Sequence, residues 1–178
     1  MYTCLMATRE ENLVGAFVLK VADDLAGATS GAVGHQGAMG AALSYLAQEP
    51  GIGVEELRRP LALSEPAAVR LAGQLHAAGL VSRAADDGDG RRVRLTLTPA
   101  GRRAARAVLA ARAGVLADSL AGLGEGERRE LAQLLEKTLR SVATTVAAGQ
   151  RICRLCQLDV CPRVTCPVDL AARHEVGT

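Results

Sequence analysis

From Glu10 to Leu25 the apolar residues Leu13, Phe17, Val18, Val21 and Leu25 recur at three- and four-residue intervals, the spacing of one face of an α-helix. The small-residue run Gly27-Ala-Thr-Ser-Gly31 is expected to end that helix. A second helix is predicted from about Gln36 to Gln48, with Leu43 and Leu46 inward, and Pro50-Gly51-Ile52-Gly53 closes it. A short helix follows from Val54 to about Arg59, limited by Pro60. Ser64 then N-caps a helix from Glu65 to about Ala78, with Glu65 and Pro66 in the first turn, where an acid suits the helix dipole and proline sacrifices no hydrogen bond. After Gly79 the period changes. Leu80–Arg83 and Val93–Leu97 are short and rich in strand formers, and the stretch between them contains Asp86, Asp87, Gly88, Asp89 and Gly90, which predicts a hairpin with a long charged tip. Thr98-Pro99 opens a long helix to about residue 121, and Gly122 to Gly126 separates it from another. In that last helix Leu131, Leu134, Leu135, Thr138, Leu139 and Val142 form one stripe, which demands a partner helix from this chain or from a second subunit.

Composition supports a mainly helical chain. Of the 178 residues 49% are hydrophobic but only 2% aromatic, so the core must be aliphatic and alanine-rich, which suits packed helices better than a sandwich or barrel. The net charge of +2 makes no global case for nucleic acid; only the placement of the 21 basic residues can. The N-terminus lacks the pattern of a signal peptide, and no apolar run approaches the ~20 residues of a membrane span. A cytoplasmic protein with no membrane partner is expected.

A short helix, a tight connection, a second helix and a basic β-hairpin make a winged helix-turn-helix, in which the second helix enters the DNA major groove and the wing reaches the backbone or minor groove. In detail, Gly79-Leu-Val-Ser-Arg83, Asp89-Gly90-Arg91, Val93 to Thr98 and Gly101 resemble the signature of the multiple-antibiotic-resistance regulator (MarR) family, over roughly Glu10 to Val146. That resemblance implies a homodimer of winged-helix subunits joined by their N- and C-terminal helices, a palindromic operator in double-stranded DNA, and repression relieved by a signal. It suggests a dimerisation helix in 1–31, a DNA-binding region in 32–98, further dimerisation helices in 99–150 and an added tail in 151–178. It also implies that Arg91 enters the minor groove, where a guanidinium suits the narrow electronegative channel, with Asp89 orienting it. Arg92 and Arg94, with Arg58 and Arg59, are candidate phosphate contacts. On the recognition helix Glu65, Pro66, Ala67, Ala68 and Arg70 are expected outward and Val69, Ala72 and Leu75 inward, so Arg70 alone can make the bidentate guanine contact. His76 is expected near the core side, as a packed or capping residue rather than a ligand.

The tail carries the second candidate chemistry. Cys153, Cys156, Cys161 and Cys166 lie within fourteen residues, and closely spaced cysteines in a reducing compartment are more often metal ligands than disulfides. Four thiolates suit tetrahedral zinc and both common iron-sulfur clusters, 2Fe-2S and 4Fe-4S. Pro162 and Pro167 each follow a cysteine, and Cys153-Arg-Leu-Cys156 lacks the glycine of a tight zinc knuckle; both features lean toward an iron-sulfur cluster, with zinc and a thiol switch as alternatives. The layout is similar to redox-sensing MerR regulators, whose cysteine-rich tail also follows a dimerisation helix, though the spacing differs. The expected function is therefore a homodimeric repressor modulated by redox state or iron through the tail. The alternative is a structural zinc, with a small-molecule effector bound where the dimer and DNA-binding regions meet. No phosphate loop, histidine pair or activated nucleophile argues for an enzyme, and His35, His76 and His174 are scattered.

Overall fold

A three-stranded antiparallel sheet and the helices around it organise the chain in the computed structural model, which describes residues 7–34, 38–85 and 93–174. Helix α1 (Arg9–Val33) opens with a capping box: the Thr8 N–H donates to Glu11 Oε2 at 2.7 Å and the Glu11 N–H to Thr8 Oγ1 at 3.2 Å. It runs straight through Gly27–Gly31, where the sequence suggested an end. The chain leaves the helix only at Gly34, whose φ of 67° is the left-handed conformation that glycine adopts without penalty. Packing of α1 along α5 (Pro99–Ser119) outweighs the low helix propensity of the glycines.

Helix α2 (Met39–Gln48) buries Ala42, Leu43, Tyr45 and Leu46. A two-residue strand that the sequence did not reveal, β1 (Ile52–Gly53), pairs with β3 (Val93–Leu97), which in turn pairs with β2 (Val81–Ala85). Helix α3 (Val54–Leu61) continues past Pro60 by one residue, because a proline near a helix C-terminus forfeits one bond but keeps a helical φ. Ala62 follows in the left-handed region, at φ 52°. Helix α4 (Glu65–Ala77) starts after Ser64 as expected, with Pro66 in its first turn; the Ser64 hydroxyl makes no capping bond.

The core joins these pieces: Leu43, Leu46, Leu57, Leu75, Val81 and Leu95 are all buried in one cluster. At the exit of the sheet Thr98 fixes α5. Its Oγ1 donates to the Gly79 carbonyl at 2.7 Å and accepts the Gly101 N–H at 3.0 Å. A Cβ at Gly101 would lie 1.9 Å from the Leu80 carbonyl oxygen, so only glycine lets α5 come this close to β2.

Helix α6 (Glu125–Val142) carries the predicted stripe, of which Leu139 is half-buried while Leu134, Leu135 and Val142 are exposed. The tail supplies the partner at the Leu139 end: α8 (Pro167–His174) packs on α6 and on α7 (Val146–Ile152), and Ala143, Cys166 and Val168 form a second small core there. Helix α7 also packs against α3. The tail is thus not confined to the helices expected to form the dimer; it reaches the winged helix of its own chain.

Candidate DNA-binding face and cysteine pocket

Along α4 the buried positions are Ala68, Leu71, Ala72 and Leu75, spaced i, i+3, i+4 and i+7. This corrects the predicted phase at two positions. Ala68, expected to read bases, is buried, and Val69, expected in the core, is 54% exposed. Leu71 was the neglected signal, since a leucine there pulls its i−3 neighbour Ala68 inward. Glu65, Pro66 and Arg70 are exposed as expected, Ala67 is half-buried, and Val69 and Gln74 join the outward face. Arg70 forms no ion pair with any described residue. His76 is exposed rather than on the core side, with Nδ1 3.1 Å from the Val81 carbonyl, which keeps it in the capping role.

Of the wing residues, Asp89, Arg91 and Arg92 lie outside the described residues. Arg94 is exposed on β3 and directs Nη1 toward the Gly51 carbonyl at 3.4 Å. Arg58 is engaged elsewhere: its Nε and Nη2 both donate to the Glu55 carboxylate at 2.7 Å, which holds Glu55 below the usual carboxylate range. Arg59 lies 3.5 Å from the same carboxylate.

The structure brings all four tail cysteines together at one cavity of about 190 Å³. Turns achieve this. The Cys153 N–H closes α7 on the Gly149 carbonyl, Cys156 N–H turns back to the Cys153 carbonyl at 2.9 Å, and Cys161 N–H bonds the Gln157 carbonyl at 2.9 Å. Cys166 follows a further turn from Arg163 and directly precedes Pro167, a residue preorganised for the first position of α8. Cys166 is buried and the other three are half-buried, all as free thiols.

The thiols hydrogen bond to one another. Cys153 contacts Cys156 and Cys166, and Cys161 contacts Cys166. Donation from Cys153 to the Cys156 sulfur pulls the Cys156 thiol down to about 6, and the Arg112 guanidinium on α5 assists against the opposing effect of burial. The same hydrogen bond, with burial, pushes Cys153 far up, while burial and the Cys166 sulfur push Cys161 up to about 11. Cys156 is therefore more readily ionised near neutral pH than Cys153 or Cys161. Among the described residues no three His, Cys, Asp or Glu side chains are arranged as a formed metal cage. The donor chemistry nevertheless suits a thiophilic metal: four sulfurs at one largely apolar cavity.

Sequence reasoning missed the opposite wall of this cavity, which belongs to the winged helix. Tyr45 and Gln48 of α2 line it beside Arg163 and Asp169. Gln48 Nε2 donates to the Cys156 carbonyl at 2.8 Å across 108 residues of sequence, and Glu49 forms an ion pair with Arg163. Burial pushes the Tyr45 phenol up, partly offset by the Arg163 guanidinium.

The helices, the sheet order and the turn between α3 and α4 are those of a winged helix, and sequence comparison narrows this further. Residues 40–92 match the MarR family. MarR-family proteins are transcription regulators, not enzymes. No protein of curated function is similar to the chain in sequence. Among solved structures, the MarR-like fold is shared with YusO from Bacillus subtilis (22% identity, TM-score 0.62, 74% of this chain and 97% of that one). It is shared with apo MarR from E. coli (21% identity, TM-score 0.62, 75% and 98%). A probable transcriptional regulator from Pseudomonas aeruginosa aligns at 28% identity and TM-score 0.55, over 70% and 96%. Almost the whole of each relative is thus matched by part of this chain, and the remainder of the chain has no counterpart in them. No described helix is long and apolar enough to cross a membrane.

Proposed function

We propose that this chain is a DNA-binding transcription regulator, a homodimeric repressor of a palindromic operator, whose affinity is set by a metal centre on Cys153, Cys156, Cys161 and Cys166. One observation carries the reading: the four thiols line a cavity whose other wall is α2 of the winged helix, so the cysteine loop has a direct physical route to the DNA-binding region. MarR-family relatives bind DNA as dimers, some with small-molecule effectors, which supports the first half. The exposed apolar faces of α1 and α6 supply the surface for a second copy.

An iron-sulfur cluster is our first assignment, on the prolines that follow Cys161 and Cys166, and it would supply one-electron redox chemistry or iron-dependent loss as a signal. Zinc is favoured by a different observation. Four thiols line one cavity, and a single tetrahedral ion about 2.3 Å from each sulfur needs no inorganic sulfide between them. With a structural zinc, the signal would enter elsewhere. The cavity of about 340 Å³ between α2, β3 and α5, lined by Leu46, Leu97, Leu109, Arg102 and Arg106, would then take a small-molecule effector.

The deciding experiment is an ultraviolet-visible spectrum with iron, sulfide and zinc analysis on protein purified without oxygen, followed by operator titration before and after metal removal. Visible thiolate-to-iron absorption with iron and sulfide, and affinity that changes on removal, supports cluster sensing. Colourless zinc protein with unchanged affinity moves the signal to the α2–α5 cavity, and protein that prefers no DNA sequence ends the repressor reading.

A further inference from the structure

At the C-terminal end of α2 the cysteine loop and the winged-helix sheet are held within a few residues of each other. Gln48 donates to the Cys156 carbonyl, and Glu49 pairs with Arg163, which lies between Cys161 and Cys166. Two residues further on, the Gly51 N–H donates to the Leu95 carbonyl at 3.1 Å and its carbonyl faces Arg94 Nη1, so the segment is stitched to the wing strand β3. Ile52 and Gly53 then pair with Leu95 and Arg94 as β1. A cysteine-loop contact is thereby only two to three residues from the root of the wing, with no flexible linker between them.

We infer that Gln48 and Glu49 are positioning residues that report the state of the cysteine centre to the wing. This rests on the proposed metal control of DNA binding and names how that control is transmitted. The physical basis is the pair of groups they hold. Both the Cys156 carbonyl and the Arg163 guanidinium belong to the loop that carries the thiols, and binding a metal through four sulfurs fixes that loop while its loss frees it. The bonds from Gln48 and Glu49 are satisfied when the loop is held and are weakened when it is free. Neither side chain needs to touch the metal. Glu49 is 29% exposed and Arg163 45% exposed at the side chain, so the pair stays accessible enough to break and reform without unfolding the core. Spatial continuity alone does not establish coupling; a difference in metal response between variants does.

The test uses the full chain, loaded anaerobically with iron and sulfide or, in a parallel series, with Zn²⁺. The probe is a DNA duplex selected from a random pool on the wild-type protein. For the wild type, loaded and metal-free affinities are expected to differ at least about five-fold, the lower end of ordinary allosteric coupling. In the double variant Gln48→Leu, Glu49→Gln the metal content should match wild type while that ratio collapses toward one. The charge swap Glu49→Arg with Arg163→Glu should restore much of the ratio, which mere disruption of packing would not. A double variant that keeps the wild-type ratio overturns the inference. So does one that loses its metal, because these residues would then hold the tail rather than report on it. A wild-type ratio of one removes the metal-control reading itself, and the inference with it.

Discussion

At Cys156 one sulfur favours the negative charge that Cys153 and Cys161 avoid. Cys153 donates to it and Arg112 faces it, so its thiol is lowered to about 6, while Cys161 is raised to about 11. In metal-free reduced protein, iodoacetamide should label Cys156 first, at a rate rising through about pH 6, and Cys161 only in strongly alkaline solution; peptide mapping by mass spectrometry reads this directly. Equal labelling of the cysteines at neutral pH would contradict the thiol geometry. The stability consequences have opposite signs. The lowered Cys156 contributes stability that is present above the ordinary thiol range of about 8.5 and is lost as pH falls through about 6. The raised Cys161 contributes stability present below that range and lost as pH rises through about 11. On the DNA side, Arg70 is the cation on the outward face of α4. Arg70→Ala is expected to weaken binding to a selected duplex by about 1–3 kcal/mol and to relax preference at one base pair, measured by titration at fixed salt. Uniform weakening across all sequences would make Arg70 a phosphate contact instead.

Among the elements, the junction of wing and α5 offers the sharpest test of packing. Gly101→Ala places a methyl against the Leu80 carbonyl, and the helix or the strand must move; a loss of about 1–3 kcal/mol is expected in chemical denaturation. Retention of full stability would mean that α5 can pivot freely on the sheet. Its helix start was legible in the sequence because Thr98 and Pro99 have local reasons to be there, whereas Gly101 entered only with the family resemblance, its reason being the close approach to Leu80. The paired strands β2 and β3 were legible for the same kind of reason, a change of period flanking a glycine- and aspartate-rich turn. The failures share a different origin. Gly27 and Gly31 look like helix breakers until tertiary packing on α5 is known, and β1 is too short for any periodic signal. Ala68 and Val69 were exchanged because in an alanine-rich helix the apolar face has few large residues to fix its phase. The cysteines could be grouped by spacing alone, but Tyr45 and Gln48, which line their cavity, and Glu49, which pairs with Arg163, are distant in sequence and of unremarkable type, so nothing short of the fold could place them beside the cysteine loop.

For the whole molecule, the single chain leaves apolar surface unspent at both ends of its helical frame. Leu13, Val14, Phe17 and Val18 on α1 and Leu134, Leu135 and Val142 on α6 are each about half or more exposed. A second copy covering them is expected, and Phe17→Glu combined with Leu135→Glu should yield monomer by light scattering and lose most operator affinity, since two half-sites about 34 Å apart then bind independently. A charged variant that stays dimeric would place the interface elsewhere. The contacts of the tail with α2, α3 and α6 have one more consequence. Helix α4 packs chiefly on α3 and β2, and none of its residues lines the thiol cavity, so on the proposed reading the outward face of α4 and the cysteine centre use different residues. If the proposed roles hold, address and trigger are separately editable: exchanging Val69, Arg70 and Gln74 is expected to redirect the protein to a new promoter with its signal unchanged, and the tail could be gained or lost without changing the targets.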